Sequence, residues 1–160
     1  MKSSLLGQSV FFYVTFLVAL IVSILPFPPK ATLFLPLWIP LLLIYWTMLW
    51  PEKSYFILAS LFGFCMDALF GTYFGTHSLV LCLLVFICYR FQLRFPMFPL
   101  MQQLIFIFIL LTGYQLILFL IDRSLGGNTP LYGIGMTALS SVFIWPVLKV
   151  LLKPMPPPLS

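Results

Sequence analysis

Among 160 residues there are three carboxylates, one histidine and three cysteines, and only Asp67 of the carboxylates falls deep inside an apolar run. An acid placed there carries a large burial cost, so it marks either a functional site or a polar lock between helices. Two chemistries are open to it. It can handle a proton or an ion within an apolar layer, or it can accept hydrogen bonds from a neighbouring helix end. Gly63, Asp67, Gly71 and Gly75 recur every fourth residue. On one continuous helix they form a ridge with bare backbone on either side of the carboxylate, so the spacing predicts a helix-packing or partner-interface surface.

The other reactive side chains narrow the possibilities further. His77 is the single histidine, which removes any site that requires two or more imidazoles. Asp67, His77 and Ser78 offer the residue types of a hydrolytic triad, yet Ser78 sits in no strained turn and no oxyanion-hole motif is present. Cys65, Cys82 and Cys88 are odd in number, lack C-x-x-C spacing and lie in apolar runs. They read as small buried hydrophobes. There is no phosphate loop and no H-E-x-x-H. The eight Lys and Arg are scattered singly or in pairs, without the basic stripe that nucleic acid requires. A non-enzymatic protein without cofactor or metal is expected. Gln102, Gln103 and Gln115 add polar capacity, Gln103 and Gln115 being placed to face a bundle interior.

The elements that must position these groups are membrane helices. With 62% apolar and 7% charged residues, the chain lacks the polar surface to cover the core of a soluble domain. Apolar runs cover residues 10–25, 33–50, 55–70, 77–89, 100–121 and 131–152. The expected fold class is therefore all-α, a polytopic membrane bundle of about six helices. It occupies residues 1–153 as one domain, and 154–160 form a proline-rich cytoplasmic tail. No small-x-small cleavage site follows the first run, so it reads as a span. The fourth run is short, with Gly75 and Arg90 available to extend it. Lys2, Lys53, Arg90, Arg94, Lys149 and Lys153 fall on one side, against Lys30 and Arg123 on the other, which places both termini in the cytoplasm. On that orientation Asp67 lies about 18 Å from the cytoplasmic face, in the outer half of the bilayer. Tyr13, Trp38, Trp50, Tyr55, Tyr89, Tyr132 and Trp145 stand near span ends, as interfacial anchors do.

With these elements in place, the residues resemble the MreD family of bacterial rod shape-determining proteins. The resemblance covers nearly the whole chain. It runs through Phe34-Leu35-Pro36-Leu37-Trp38, Leu43-Ile44-Tyr45-Trp46 leading to Pro51, Arg90-Phe91-Gln92-Leu93-Arg94 and Trp145-Pro146. Its most specific part is Gly63-Phe64-Cys65-Met66-Asp67-Ala68-Leu69-Phe70-Gly71 followed by Phe74-Gly75. Leu35 and Leu37 depart from it, standing where relatives often carry polar residues, and Gln115 stands near where many carry an acid.

The resemblance implies a non-catalytic scaffold subunit of the cell-elongation, peptidoglycan-synthesising complex in the bacterial cytoplasmic (inner) membrane. Its implied partners are a bitopic MreC-like protein, the actin-like MreB, the RodA glycosyltransferase, a transpeptidase and membrane lipid. The family also looks like the small six-helix substrate-binding subunits of energy-coupling-factor transporters. That analogy implies a second reading, a transport or solute-binding subunit using Asp67 with Gln103 or Gln115 in a central pocket. A single deep ionisable group and the lack of an inverted repeat weigh against it.

Overall fold

Apolar segments of this length close their backbone hydrogen bonds most economically within themselves, and all regular structure among the described residues is helical. The computed structural model describes residues 13–23, 25, 28, 34–50, 55–127 and 134–152. The helices are α1 (Tyr13–Ser23), α2 (Trp38–Leu49), α3 (Phe56–Phe70), α4 (Thr76–Phe91), α5 (Leu100–Ser124) and α6 (Ile134–Leu151). A short 3-10 turn, Phe95–Met97, joins α4 to α5. Among the described residues there is no strand, so this is an all-α bundle.

The axis of the bundle is α2. Every residue from Ile39 to Met48 is buried, which suits a helix that is apolar on all sides. Its start differs from the sequence reading, because Leu35 to Leu37 are not helical and α2 begins only at Trp38. Pro40 then falls in the first turn, where a missing N–H interrupts no intrahelical bond. Around α2 are packed two antiparallel hairpins, α3–α4 and α5–α6, with α4 and α6 against it. Phe16 of α1 stacks on Phe62 of α3, with ring centroids 4.7 Å apart.

Successive helices alternate in direction. Ser23, Pro36, Met66, His77, Leu118 and Thr137 belong in turn to the end of α1, the approach to α2, the end of α3, the start of α4, the end of α5 and the start of α6, yet they line one cavity. At the opposite end the Tyr45 hydroxyl donates to the Leu152 carbonyl at 2.7 Å, and the Tyr55 N–H donates to the Tyr89 hydroxyl at 3.0 Å.

The outer surface carries many large apolar side chains. Ile57, Phe86, Ile109, Phe143 and Val150 are each more than 60% exposed, and they stand at helical intervals among other outward aliphatic and aromatic side chains. Among the described residues only α5 is long and apolar enough by itself to cross a membrane. It also runs further than the sequence suggests, continuing through Asp122 and Arg123 to Ser124. The described aromatic anchors differ in exposure, with Trp38, Trp50 and Tyr89 half-buried. Tyr13 is exposed, whereas Tyr55 and Trp145 are each 1% exposed and fill the core. Their position near helix ends marks the end of the bundle, but helix–helix packing there covers them. Tyr132, Lys2, Lys30, Lys53, Lys153 and the 154–160 tail lie outside the described residues.

Candidate functional site

The α3–α4 hairpin explains the buried acid. α3 presents Ala59, Gly63, Met66 and Asp67 inward, at spacings of three and four that define one helical face. The absence of a side chain at Gly63 lets the start of α4 lie directly on it. A Cβ at that position would collide with the backbone N and Cα of Ser78 and lie 2.9 Å from the His77 carbonyl carbon. One turn earlier, the Ser60 and Ser78 hydroxyls are 3.1 Å apart, bonding the same two helices. Asp67 follows one turn after Gly63, at the level where α4 begins.

There the carboxylate is saturated. Oδ1 accepts from the Thr72 hydroxyl (2.9 Å), the Thr76 hydroxyl (2.8 Å), the His77 N–H (3.0 Å) and His77 Nδ1 (2.7 Å). Oδ2 accepts from the Gly75 N–H at 2.7 Å. The Asp67 side chain has no solvent exposure. The first N–H groups of a helix have no partner within it, and a residue at the N-cap ordinarily supplies one from its side chain. Gly75, the N-cap of α4, has no side chain, so Asp67 from the preceding helix takes over that role. The positive end of the α4 dipole faces the negative charge and stabilises it.

The four-residue ridge stops halfway. α3 ends at Phe70, and Gly71 caps it in the left-handed conformation with φ 63°. Gly75 also has positive φ, 96°. Gly63 and Asp67 therefore lie on a helical packing face, while Gly71 and Gly75 are hinge points of the five-residue connection 71–75. The reason is conformational: glycine at C′ is a stop signal, and these positions adopt backbone angles that side chains disfavour. The reading of a single ridge through Gly75 is corrected to that extent.

The remaining candidates separate. Ser78 is bonded to Ser60, and His77 directs Nδ1 to Asp67, so no Ser–His contact of a hydrolytic triad is present. Cys65, Cys82 and Cys88 are free thiols, and the described residues contain no cluster of three or more metal-ligating side chains. Gln103 and Gln115 both turn inward but belong to different ends. Gln115 Oε1 accepts from Thr137 (2.9 Å) beside the cavity, whereas Gln103 Nε2 donates to the Phe98 carbonyl (2.9 Å) and its Oε1 accepts from Lys149 Nζ at the far end. The central pocket joining Asp67 with Gln103 is therefore not formed. The cavity, of about 560 Å³, includes Gln115 and His77 in its wall but not Asp67. Thr72, Thr76 and His77 as ligands of Asp67 escaped the sequence reading. Their signal was the polar cluster immediately after Gly71.

The comparisons extend along nearly the whole chain. A family model described as rod shape-determining protein MreD matches residues 3–155. The rod shape-determining protein MreD of Haemophilus influenzae is 25% identical over 138 residues, covering 86% of this chain and 85% of that protein. No solved structure matches. An all-helical bundle, a Gly-Asp-Gly hairpin and a match from residue 3 to residue 155 place this chain in the MreD family of rod shape-determining proteins.

Proposed function

We propose that this MreD-family chain is a non-catalytic, multi-pass scaffold of the cell-elongation machinery in the bacterial inner membrane. In this reading it holds a single-span MreC-like protein, with MreB, RodA and a transpeptidase in the wider assembly. The observation that carries it is the saturation of Asp67. An acid that moves protons or ions must exchange one partner for another, and this one lies within hydrogen-bond distance of five donor groups of its own hairpin, of which the Thr76 hydroxyl is shared with the Tyr73 carbonyl. Its work is to set the shape of the α3–α4 pair. Gly63 and Asp67 then act on a partner through that shape, while Gly71, Thr72, Tyr73 and Phe74 lie exposed at the tip.

Membrane placement is supported by the outward apolar faces, which water would not tolerate over so much of the surface. Helices shorter than a bilayer are compatible with it where protein surrounds them, as it does α2. Arg90, Arg94 and Lys149 stand at the end away from the cavity and Arg123 near it, the same sense as the orientation read from the whole chain.

The test uses a rod-shaped host lacking its own MreD. Wild-type protein restores rods and co-purifies the single-span partner. Asp67→Ala, matched for membrane level, gives round cells and loses co-purification. Normal rods with intact co-purification would sink the reading, and saturable solute uptake by proteoliposomes of the wild type would favour the transport alternative.

A further inference from the structure

The turn that joins α4 to α5 presents an outer face of mixed chemistry. Past the end of α4 the chain keeps a helical path. Gln92 and Arg94 have right-handed helical backbone angles, the Arg94 N–H donates to the Phe91 carbonyl at 3.0 Å, and the Met97 N–H donates to the Arg94 carbonyl at 3.1 Å. Residues three and four apart on such a path share a side. Phe91 and Phe95 form the inner side, with ring centroids 5.2 and 5.5 Å from that of Phe106, and Phe95 also meets Trp145 edge-on at 6.0 Å. Arg90, Leu93, Arg94 and Met97 form the outer side. All four are exposed, Leu93 at 76% and Met97 at 86%. Among the described residues neither arginine is paired with an acid. Because Phe95 is buried in the core, the turn holds this face at a fixed level of the bundle.

Two guanidiniums and two large apolar side chains on one face suit neither water nor hydrocarbon. Leu93 and Met97 lose by standing in water, and a guanidinium is costly in an acyl layer. Both kinds are satisfied together where phosphates meet acyl chains. In the membrane placement proposed above, on which this inference rests, the turn closes the bundle end away from the cavity and lies at that boundary. Lys149, the other described cation at this end, is bonded to Gln103, which leaves the two arginines as the charged donors facing outward. A guanidinium fork matches phosphate oxygens bidentately, and two forks about one helical turn apart can hold one phosphate between them. Two positive charges select a phosphate with no ammonium group beside it. An acidic protein segment would answer the arginines, whereas an acidic lipid answers the apolar side chains as well. We propose that Arg90 and Arg94 bind the headgroup phosphate of an acidic glycerophospholipid such as phosphatidylglycerol, while Leu93 and Met97 enter its acyl region.

The test reconstitutes the full chain in phosphatidylcholine nanodiscs that carry two photoactivatable phosphatidylglycerols, one with a diazirine in its acyl chain and one with a diazirine beside the phosphate. After irradiation the labelled peptides are mapped. The acyl probe is expected to label the outward Ile57 and Phe143 in every variant, which reports the membrane placement. The headgroup probe is expected to label residues 90–97 saturably. Unlabelled phosphatidylglycerol should compete, mole for mole, about 25-fold better than the phosphatidylcholine matrix, at about fivefold for each arginine. Arg90→Gln or Arg94→Gln is expected to lower that preference about fivefold, and the two together to abolish it. Both side chains are exposed, so helix content by circular dichroism should not change. Loss of acyl labelling in the wild type would overturn the membrane placement itself. Acyl labelling with equal competition by the two lipids, or with a preference that the double substitution leaves intact, would overturn the headgroup site alone. Competition by inorganic phosphate as strong as by phosphatidylglycerol would overturn the lipid source, and a copurifying acidic peptide crosslinked to residues 90–97 in place of lipid would overturn a lipid occupant altogether.

Discussion

The two ends of the bundle each hold a charge in apolar surroundings, and they do so by different means. At one end Asp67 is neutralised by hydroxyls, the His77 ring and the first N–H groups of α4, all within ten residues of it. At the other, Lys149 in the last turn of α6 donates to Gln103 of α5 and lies 6.0 Å from the centre of the Trp145 ring. Gln103 is in turn oriented by its bond to the Phe98 carbonyl. Among the described residues neither charge is paired with Arg, Lys, Asp or Glu; each uses oriented dipoles and a helix end of suitable sign. The difference is range. The anion's lock closes within a single hairpin, while the cation's needs two helices and a turn brought together by the whole fold.

That contrast can be broken first at Asp67. Asp67→Ala leaves the Gly75 and His77 N–H groups buried without an acceptor, and we expect a loss of about 3–5 kcal/mol in detergent unfolding followed by circular dichroism. Asp67→Asn restores one oxygen but turns an NH2 toward a donor, and is expected to cost about 1–3 kcal/mol. If asparagine is as stable as aspartate, charge and the second oxygen contribute nothing.

The next largest effect is expected at Gly63. Gly63→Ala places a methyl where the Ser78 backbone lies, and backbone cannot rotate away, so α3 and α4 must separate. Overpacking of this kind costs about 1–3 kcal/mol. Unchanged stability, or an unchanged rate of proteolysis in the 71–75 connection, would show that the hairpin is not held by this contact.

Lys149→Met tests the opposite end. It removes a charged donor whose partner keeps other bonds, so a loss of about 1–2 kcal/mol is expected, smaller than for Asp67→Ala. A larger loss than at Asp67 would reverse the ranking of the two locks.

The smallest expected effect is a gain. Gly113 lies within α5 with nothing near the position of a Cβ, so Gly113→Ala should raise stability by about 0.5–1 kcal/mol. Gly71→Ala has the same open space but φ 63°, and should cost about 1–2 kcal/mol through backbone strain alone. Together the two substitutions separate steric from conformational reasons for glycine.

Much of the helical layout was legible because apolar runs and proline or glycine punctuation are local signals. Boundaries were less so. Pro36 sits inside an apolar run, yet the helix waits until Trp38, and α5 carries Asp122 and Arg123 because a helix end can hold charges that its interior cannot. At the candidate site, the importance of Asp67 was readable from its isolation in an apolar run, but its ligands were not. Whether Gly71 continued a ridge or ended a helix depended on a backbone angle that an apolar sequence leaves open. Tyr55 and Trp145 show the same limit: residues at helix ends can anchor in an interface or fill a core, and only neighbouring helices decide which.

Sequence by itself determined that this chain is helical, overwhelmingly apolar and furnished with one deep acid, because composition and residue spacing act through the solvent and the local backbone. The tertiary structure alone decided where that acid's hydrogen bonds go, and which glutamine stands beside the cavity and which beside Lys149. Those outcomes rest on the directions in which separate helices present their polar atoms, and directions are set by packing.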